Sequence, residues 1–136
     1  MPFVHVYYPE GLSTREELEM VSKDIHGSLV EHFNVPKDDY FQMFLPYPPY
    51  QFYYDPYYLL DGEKKRTENM IYVSITCGPG RTVDQKTRLY KSIATTISNQ
   101  LAISITDIFI TLNETVAENW SFGQGLAQMV NYEGGE

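Results

Sequence analysis

The sequence predicts an α+β fold in which two copies of a β-α-β unit form one four-stranded mixed sheet with both helices on one face. The main observation is an internal repeat: residues 2–45 and 70–113 match without a gap when the register is shifted by 68 positions. Two unrelated amphipathic segments would explain a partial match. Agreement of turn, helix cap, apolar stripe and second strand favours a true duplication within one domain, residues 1–136.

The first unit begins with a run of β-branched and aromatic residues, Phe3–Tyr8, followed by a turn signal at residues 9–11. Thr14 and Glu17 have the spacing of a helix capping box, and the preceding residue pair offers the same spacing. Apolar residues at four-residue steps then predict a helix ending near Asn34. They are Val21, Ile25, Leu29 and Phe33. A second strand is predicted at Tyr40–Leu45.

The second unit repeats each of these features. Its predicted strand is Met70–Thr76, and Thr82 with Gln85 repeats the capping spacing. Asp107 falls on Asp39. The apolar stripe recurs at Leu89, Ile93, Ile97 and Leu101. A β-α-β unit of this length closes with parallel strands and a right-handed crossover. Two such units leave the second face of the sheet apolar and uncovered, which predicts an oligomer.

Two segments lie outside the repeat. The insert, residues 46–69, is rich in tyrosine and proline, and its prolines exclude a helix and a central strand. It is either a surface connector packed on its own domain or a subunit contact. The C-terminal segment, residues 114–136, contains a possible short strand at Leu126–Val130.

Composition excludes several function classes. The net charge of −8 argues against nucleic acid as a partner, although one or two cations suffice for a small carboxylate substrate. Apolar runs are too short for a membrane span, and the N-terminus lacks the pattern of a signal peptide. Cys77 is the single cysteine, so disulfides within the chain and cysteine-based metal sites are excluded. A cytoplasmic protein is expected.

Pro2 directly follows the initiator methionine. Removal of Met1, which a small second residue permits, would leave a secondary amine at the start of a buried strand. An α-amine ordinarily titrates near ~8, and apolar surroundings or nearby cations lower its pKa towards neutrality. Such an amine is a candidate base or nucleophile. A proline at position 2 is also common as a mere chain start.

Four features together resemble the tautomerase superfamily, most closely the branch of malonate semialdehyde decarboxylase and more distantly that of cis-3-chloroacrylic acid dehalogenase. They are Pro2, the segment Asp39-Tyr40-Phe41-Gln42, the motif Gly80-Arg81-Thr82 with Asp84-Gln85-Lys86, and Trp120-Ser121-Phe122-Gly123-Gln124-Gly125. The resemblance implies a homotrimer with sites near subunit boundaries and no metal or organic cofactor.

The resemblance also implies roles for individual residues. Pro2 is the catalytic amine, Arg81 holds the substrate carboxylate, and Asp39 assists proton transfer or positions water. Without that resemblance, Arg81 is a solvated residue at a helix start, an unfavourable place for a cation. Asp39 is then a turn residue, as its counterpart Asp107 suggests.

Three further residues are implied to contact substrate. Trp120 and Phe122 match an apolar wall, although they are also typical core aromatics. His26 matches a helix histidine that touches substrate in the dehalogenase, although a histidine beside Gly27 is more often structural. Glu114 stands near the sequence position at which the dehalogenase carries a water-activating glutamate.

One departure from the family pattern bears on the reaction. The decarboxylase and the dehalogenase each use two arginines around this turn, whereas here Gly78 and Pro79 occupy the earlier positions. Lys64, Lys65 or Arg66 could supply a second cation. The leading prediction is therefore enol–keto tautomerisation of a small 2-oxo or unsaturated acid with Pro2 as base. The alternatives are a decarboxylase or hydratase with protonated Pro2 as acid, and a non-catalytic oligomeric binding protein.

Overall fold

A computed structural model describes residues 1–131. The elements run in the order β1 (Phe3–Pro9), α1 (Arg15–Phe33), β2 (Gln42–Tyr47), β3 (Ile71–Cys77), α2 (Val83–Leu101) and β4 (Ile108–Glu114). The four strands form one sheet in the order β2-β1-β3-β4. The two outer pairs are parallel, and the central pair, β1 with β3, is antiparallel. The predicted fold class is confirmed.

The repeat register of 68 residues extends to the ends of both helices. Thr14 and Thr82 each accept a hydrogen bond from the backbone of the third helical residue, whose side chain bonds back, so both capping boxes are formed. Both helices also end in a left-handed residue, at Asn34 and Ala102, which are again 68 positions apart.

One face of the sheet and both helices share a single apolar core. The alternating strand residues Val4, Val6, Val73 and Ile75 pack against the predicted helix stripes, and all of these residues are buried except Leu101, which is partly buried. The opposite face carries the alternate, aromatic residues. Phe3, His5, Tyr7, Tyr72 and Phe109 form a continuous row of ring contacts across three strands. No helix of the described residues is long and apolar enough to cross a membrane.

Two boundaries differ from the sequence prediction. The second strand begins later and extends through Pro46 to Tyr47. A proline is tolerated there because β2 lies at the edge of the sheet and pairs only with β1.

The short strand predicted at Leu126–Val130 is wrong, because Gln128–Asn131 forms a 3₁₀ turn. The side chain of Gln128 accepts from the amide of Phe122 (2.9 Å) and donates to the carbonyl of Gly123 (2.8 Å). These bonds close a local loop.

The insert is fixed to the second unit at the end of the sheet where β3 and β4 begin. Thr67 donates from its amide and from its hydroxyl to the two carboxylate oxygens of Asp107, each at 2.7 Å. The hydroxyl of Tyr47 donates to the carbonyl of Met70 (2.6 Å), and burial raises the pKa of Tyr47 to about 12. The insert therefore packs on its own domain, as one of the two sequence alternatives proposed, while Tyr50 and Tyr53 remain exposed.

Candidate active site

The candidate site lies at one end of the sheet, where β1 begins and β3 ends. Met1 and Pro2 are buried there, and the amino nitrogen of Met1 lies 2.7 Å from Oδ2 of Asp39. Burial lowers the pKa of this amine below its ordinary value, since the charged form loses its hydration. The hydrogen bond and the charge of Asp39 raise that pKa, and the charge of Arg81 lowers it. The three groups that the sequence singled out are therefore brought together.

Asp39 lies on the loop between α1 and β2, in a turn closed by its own amide bonding to the carbonyl of Pro36 (3.0 Å). Its side chain is only 13 % exposed. The oxygen Oδ1 is buried and has no hydrogen-bond partner among the described residues. A buried carboxylate oxygen without a partner is costly, so it is available to a water molecule or a ligand group.

His26 stabilises this loop. Its Nε2 lies 2.8 Å from the carbonyl oxygen of Lys37, and its ring stacks on Tyr40 at a centroid distance of 4.2 Å. The hydroxyl of Tyr40 in turn bonds Ser22 on the same helix (2.6 Å). The structure therefore places His26 against the loop that carries Asp39. The substrate contact expected from the sequence stays a prediction.

Arg81 precedes α2, but its charge lies at the end of α1. Its guanidinium donates to the carbonyls of Gly78 and Phe33, each at 3.0 Å, and lies 4.9 Å from the centroid of the Phe33 ring. Phe33 is the last residue of α1, where unpaired carbonyls favour a cation. The unfavourable helix start inferred from sequence is thus offset by the favourable end of the other helix.

The aromatic wall lies at the same end of the sheet. The rings of Trp120 and Phe122 stack at 5.6 Å, and Phe122 packs edge-on against Phe41 at 5.4 Å. The carbonyl of Phe41 accepts a hydrogen bond from the amide of Val4 (3.1 Å), which fixes the wall to the first residues of β1. The indole nitrogen of Trp120 is buried and has no hydrogen-bond partner among the described residues.

A second charged pair near the site was missed by the sequence analysis. Lys86 Nζ lies 3.3 Å from Oε1 of Glu114. Both charges act on the thiol of Cys77, which Arg81 and the chain-terminal amine also influence. Burial is the largest effect and raises the pKa of Cys77, so the thiol is protonated near neutral pH. The pairing of Cys77 with Glu114 across β3 and β4 depends on strand register, which the repeat alone does not give.

The predicted substitutes for a second arginine lie elsewhere. Lys64 and Lys65 are exposed, and Arg66 donates to the carbonyl of Asp55 within the insert (3.0 Å). The insert leads into the start of β3, whereas Arg81 follows its end, and seven residues of strand separate the two by roughly 20 Å. Within one chain, these cations are therefore remote from Arg81. No group of three or more potential metal-ligating side chains was found in residues 1–131.

Comparisons with known proteins agree with this geometry. A family model described as "Tautomerase enzyme" matches residues 39–123, and a second model with the same description matches residues 2–59. The chain is 43 % identical over 130 residues to "Probable tautomerase YusQ" of Bacillus subtilis (strain 168), covering 96 % of this chain and 99 % of that protein. It is 27 % identical to "Probable tautomerase YrdN" of the same organism, covering 96 % and 97 %.

Solved structures share the fold. FG41 malonate semialdehyde decarboxylase inhibited by 3-bromopropiolate superposes with a TM-score of 0.83 at 24 % identity, covering 94 % of each chain. A fused 4-OT, described as a symmetric trimer, superposes with a TM-score of 0.73 at 18 % identity, covering 96 % of this chain and 99 % of that chain. Family models, relatives and fold agree, and the chain belongs to the tautomerase superfamily of enzymes.

Proposed function

We propose that the chain, after removal of Met1, is a tautomerase that interconverts the enol and keto forms of a small 2-oxo or unsaturated carboxylic acid. The neutral amine of Pro2 is the base. The observation that carries this proposal is the burial of the Met1 amine beside Arg81: burial and the neighbouring cation both lower the pKa of that amine, and we expect them to act in the same direction on the Pro2 amine exposed next to it. Membership of an enzyme family favours catalysis over the non-catalytic binding protein that the sequence left open.

The proposed reaction transfers a proton between a substrate carbon and the Pro2 nitrogen. The nitrogen of Pro2 is separated from that of Met1 by three covalent bonds and Pro2 is buried, so we expect the freed amine to lie near the same groups. Its lone pair takes a proton from the carbon next to the keto carbon. The C–H electron pair forms the C=C bond, and the former carbonyl oxygen takes a proton from solvent. The reverse sequence converts enol to keto acid.

The other site residues bind the substrate and orient the reacting groups. Arg81 binds the substrate carboxylate through paired N–H donors, and its bonds to the Phe33 and Gly78 carbonyls hold the guanidinium in place. Asp39 stabilises the transiently protonated amine, so the proton remains available for return. Trp120 and Phe122 exclude water. The contacts of His26 support a positioning role through the Asp39 loop.

A second candidate reaction follows from the ion pair of the amine with Asp39. Asp39 lies 2.7 Å from the Met1 amine; the same carboxylate beside a freed Pro2 amine would favour its protonated form, which would act as an acid on a substrate carbonyl in a decarboxylase or hydratase. The pH dependence of kcat/KM separates the two reactions. A base requires neutral Pro2, so activity rises with pH through the pKa of the amine. An acid requires protonated Pro2, so activity falls.

We also propose that the enzyme is a cytoplasmic homotrimer. The aromatic row on the outer face of the sheet leaves Phe109 45 % exposed in the single chain. A second copy would bury this face. Light scattering during gel filtration should give a mass of three chains, and a monomer would contradict the proposal.

The experiment for the main proposal combines intact mass with turnover. We expect the purified protein to lack Met1, to ketonise phenylenolpyruvate, and to lose activity when 3-bromopropiolate adds to Pro2. Retained Met1, or full activity after complete modification of Pro2, would contradict a catalytic amine.

A further inference from the structure

A cavity lies at the end of the sheet opposite the candidate active site, where β1 and β2 end and the insert returns to β3. Its volume is about 780 Å³, within the usual range of small-molecule sites. The seven residues of β1 separate it from Pro2 by roughly 20 Å. Five aromatic side chains line this space, namely Tyr47, Tyr50, Phe52, Tyr53 and Tyr54.

Part of the aromatic lining is held in place by contacts within the chain. The rings of Tyr47, Phe52 and Tyr54 pack edge-on in succession, with centroid distances of 5.7 and 4.9 Å. The hydroxyl of Tyr54 donates to the carbonyl of Thr67, and that of Tyr47 donates to the carbonyl of Met70. Because both hydroxyls are bonded to the backbone, these tyrosines offer a ligand their rings rather than their hydroxyl groups.

Two carboxylates give the cavity a negative charge. Glu10 and Glu68 line it, and among the described residues no lysine, arginine or histidine does. Neither carboxylate has a hydrogen bond or an ion pair within residues 1–131. Burial raises the pKa of Tyr54, and the negative charges of Asp107 and Glu68 raise it further. The cavity therefore disfavours carboxylic acids and favours cations.

We propose that this cavity binds an organic cation that carries a methylated ammonium group. Aromatic rings attract cations, and several rings around one space are the usual recognition site for quaternary ammonium ions. Glu10 and Glu68 supply the opposite charge. An unmethylated ammonium is strongly hydrated, and exposed carboxylates bind such a group weakly, whereas methyl groups pack on the rings. The cavity is remote from the amine end, so its occupancy does not depend on the reaction proposed there.

The test compares choline with 3,3-dimethyl-1-butanol, the uncharged molecule in which carbon replaces the ammonium nitrogen. Binding to the intact protein is followed by NMR of ¹³C-labelled tyrosine rings. We expect choline to bind saturably, and the alcohol to bind about fivefold or more weakly. Glu68→Gln and Tyr53→Leu should each weaken choline binding about threefold or more. Both residues are exposed, so the variants should fold.

Glu63→Gln and Tyr57→Leu are the matched controls, since both are exposed residues of the insert that do not line the cavity. They should leave choline binding unchanged. Equal binding of choline and the alcohol, or an equal loss in a variant and its matched control, would overturn the inference. Absence of saturable choline binding would also overturn it, as when another subunit covers the cavity. If a variant does not fold, the comparison of the two molecules on wild-type protein decides.

Discussion

The two ends of the sheet are related by the 68-residue repeat, yet they have opposite characters. At the amine end, Asp39 pairs with the chain-terminal amine (2.7 Å) and the charge of Arg81 lies nearby. At the insert end, the counterpart Asp107 is 1 % exposed and both its oxygens accept hydrogen bonds from Thr67. The same aspartate position therefore contacts an ionisable group in one half and ties down a polypeptide segment in the other.

Two features distinguish the ends. The amine end contains the chain-terminal amine, here that of Met1, and Arg81 stands where the first unit has Ser13. The insert covers the other end, where Tyr47 donates to the Met70 carbonyl. Pro2 corresponds to Met70 in the repeat, and with Met1 removed, as proposed, only Pro2 would have a free amine.

The largest expected effect is that of the terminal amine itself. Pro2→Ala should lower turnover of phenylenolpyruvate by about 10²–10⁴-fold, the usual contribution of a positioned base. Met70→Leu alters the equivalent position of the other half and conserves volume, so it should leave turnover unchanged and cost less than about 1.5 kcal/mol in unfolding free energy. Steady-state kinetics and urea denaturation measure both. Equal loss of turnover in the two variants would show that the halves do not differ as described.

Arg81→Ser introduces at the amine end the residue found at the equivalent repeat position, Ser13. Loss of a charged hydrogen bond to a carboxylate costs about 1.5–3 kcal/mol, so we expect kcat/KM to fall roughly 10- to 100-fold, mainly through KM. Removal of a cation that lowers the amine pKa should also move the acidic limb of the pH profile to higher pH. A variant that binds the acid as tightly as wild type would refute the role of Arg81.

Substitution of Asp107 should lower stability, whereas substitution of Asp39 should shift the pH profile of activity. Asp107→Ala removes two hydrogen bonds to the insert and should destabilise the fold by about 1–3 kcal/mol in urea denaturation, with an unchanged pH profile. Asp39→Asn removes the contacts that raise the amine pKa, so the acidic limb should move to lower pH. A shifted pH profile in Asp107→Ala, together with an unshifted profile and lower stability in Asp39→Asn, would contradict a structural role for Asp107 and a catalytic role for Asp39.

Local chemistry made much of the fold predictable. The capping boxes at Thr14 and Thr82 and the repeat register predicted both helices and a four-stranded mixed sheet, whereas the strand order depends on pairing between the two units. The approach of Lys86 and Glu114 to Cys77 was not predictable, because it depends on strand pairing between distant segments. The position of the Arg81 guanidinium at the end of α1 likewise depends on tertiary packing.

In the C-terminal segment, the apolar pattern predicted a strand that does not form. An apolar run suggested a strand at Leu126–Val130, but the amide group of Gln128 bonds the neighbouring backbone and stabilises a compact loop. Side-chain to backbone bonds of this kind compete with regular structure and leave little trace in a hydrophobic pattern.

The most direct test of the central claim is a titration of the Pro2 nitrogen by ¹⁵N NMR in proline-labelled protein that lacks Met1, alongside the pH profile of kcat/KM. We expect the amine to have a pKa below the ordinary range of α-amines and activity to rise with pH through the same pKa. An amine that stays protonated across the active range, with activity falling as it loses its proton, would contradict Pro2 as a base.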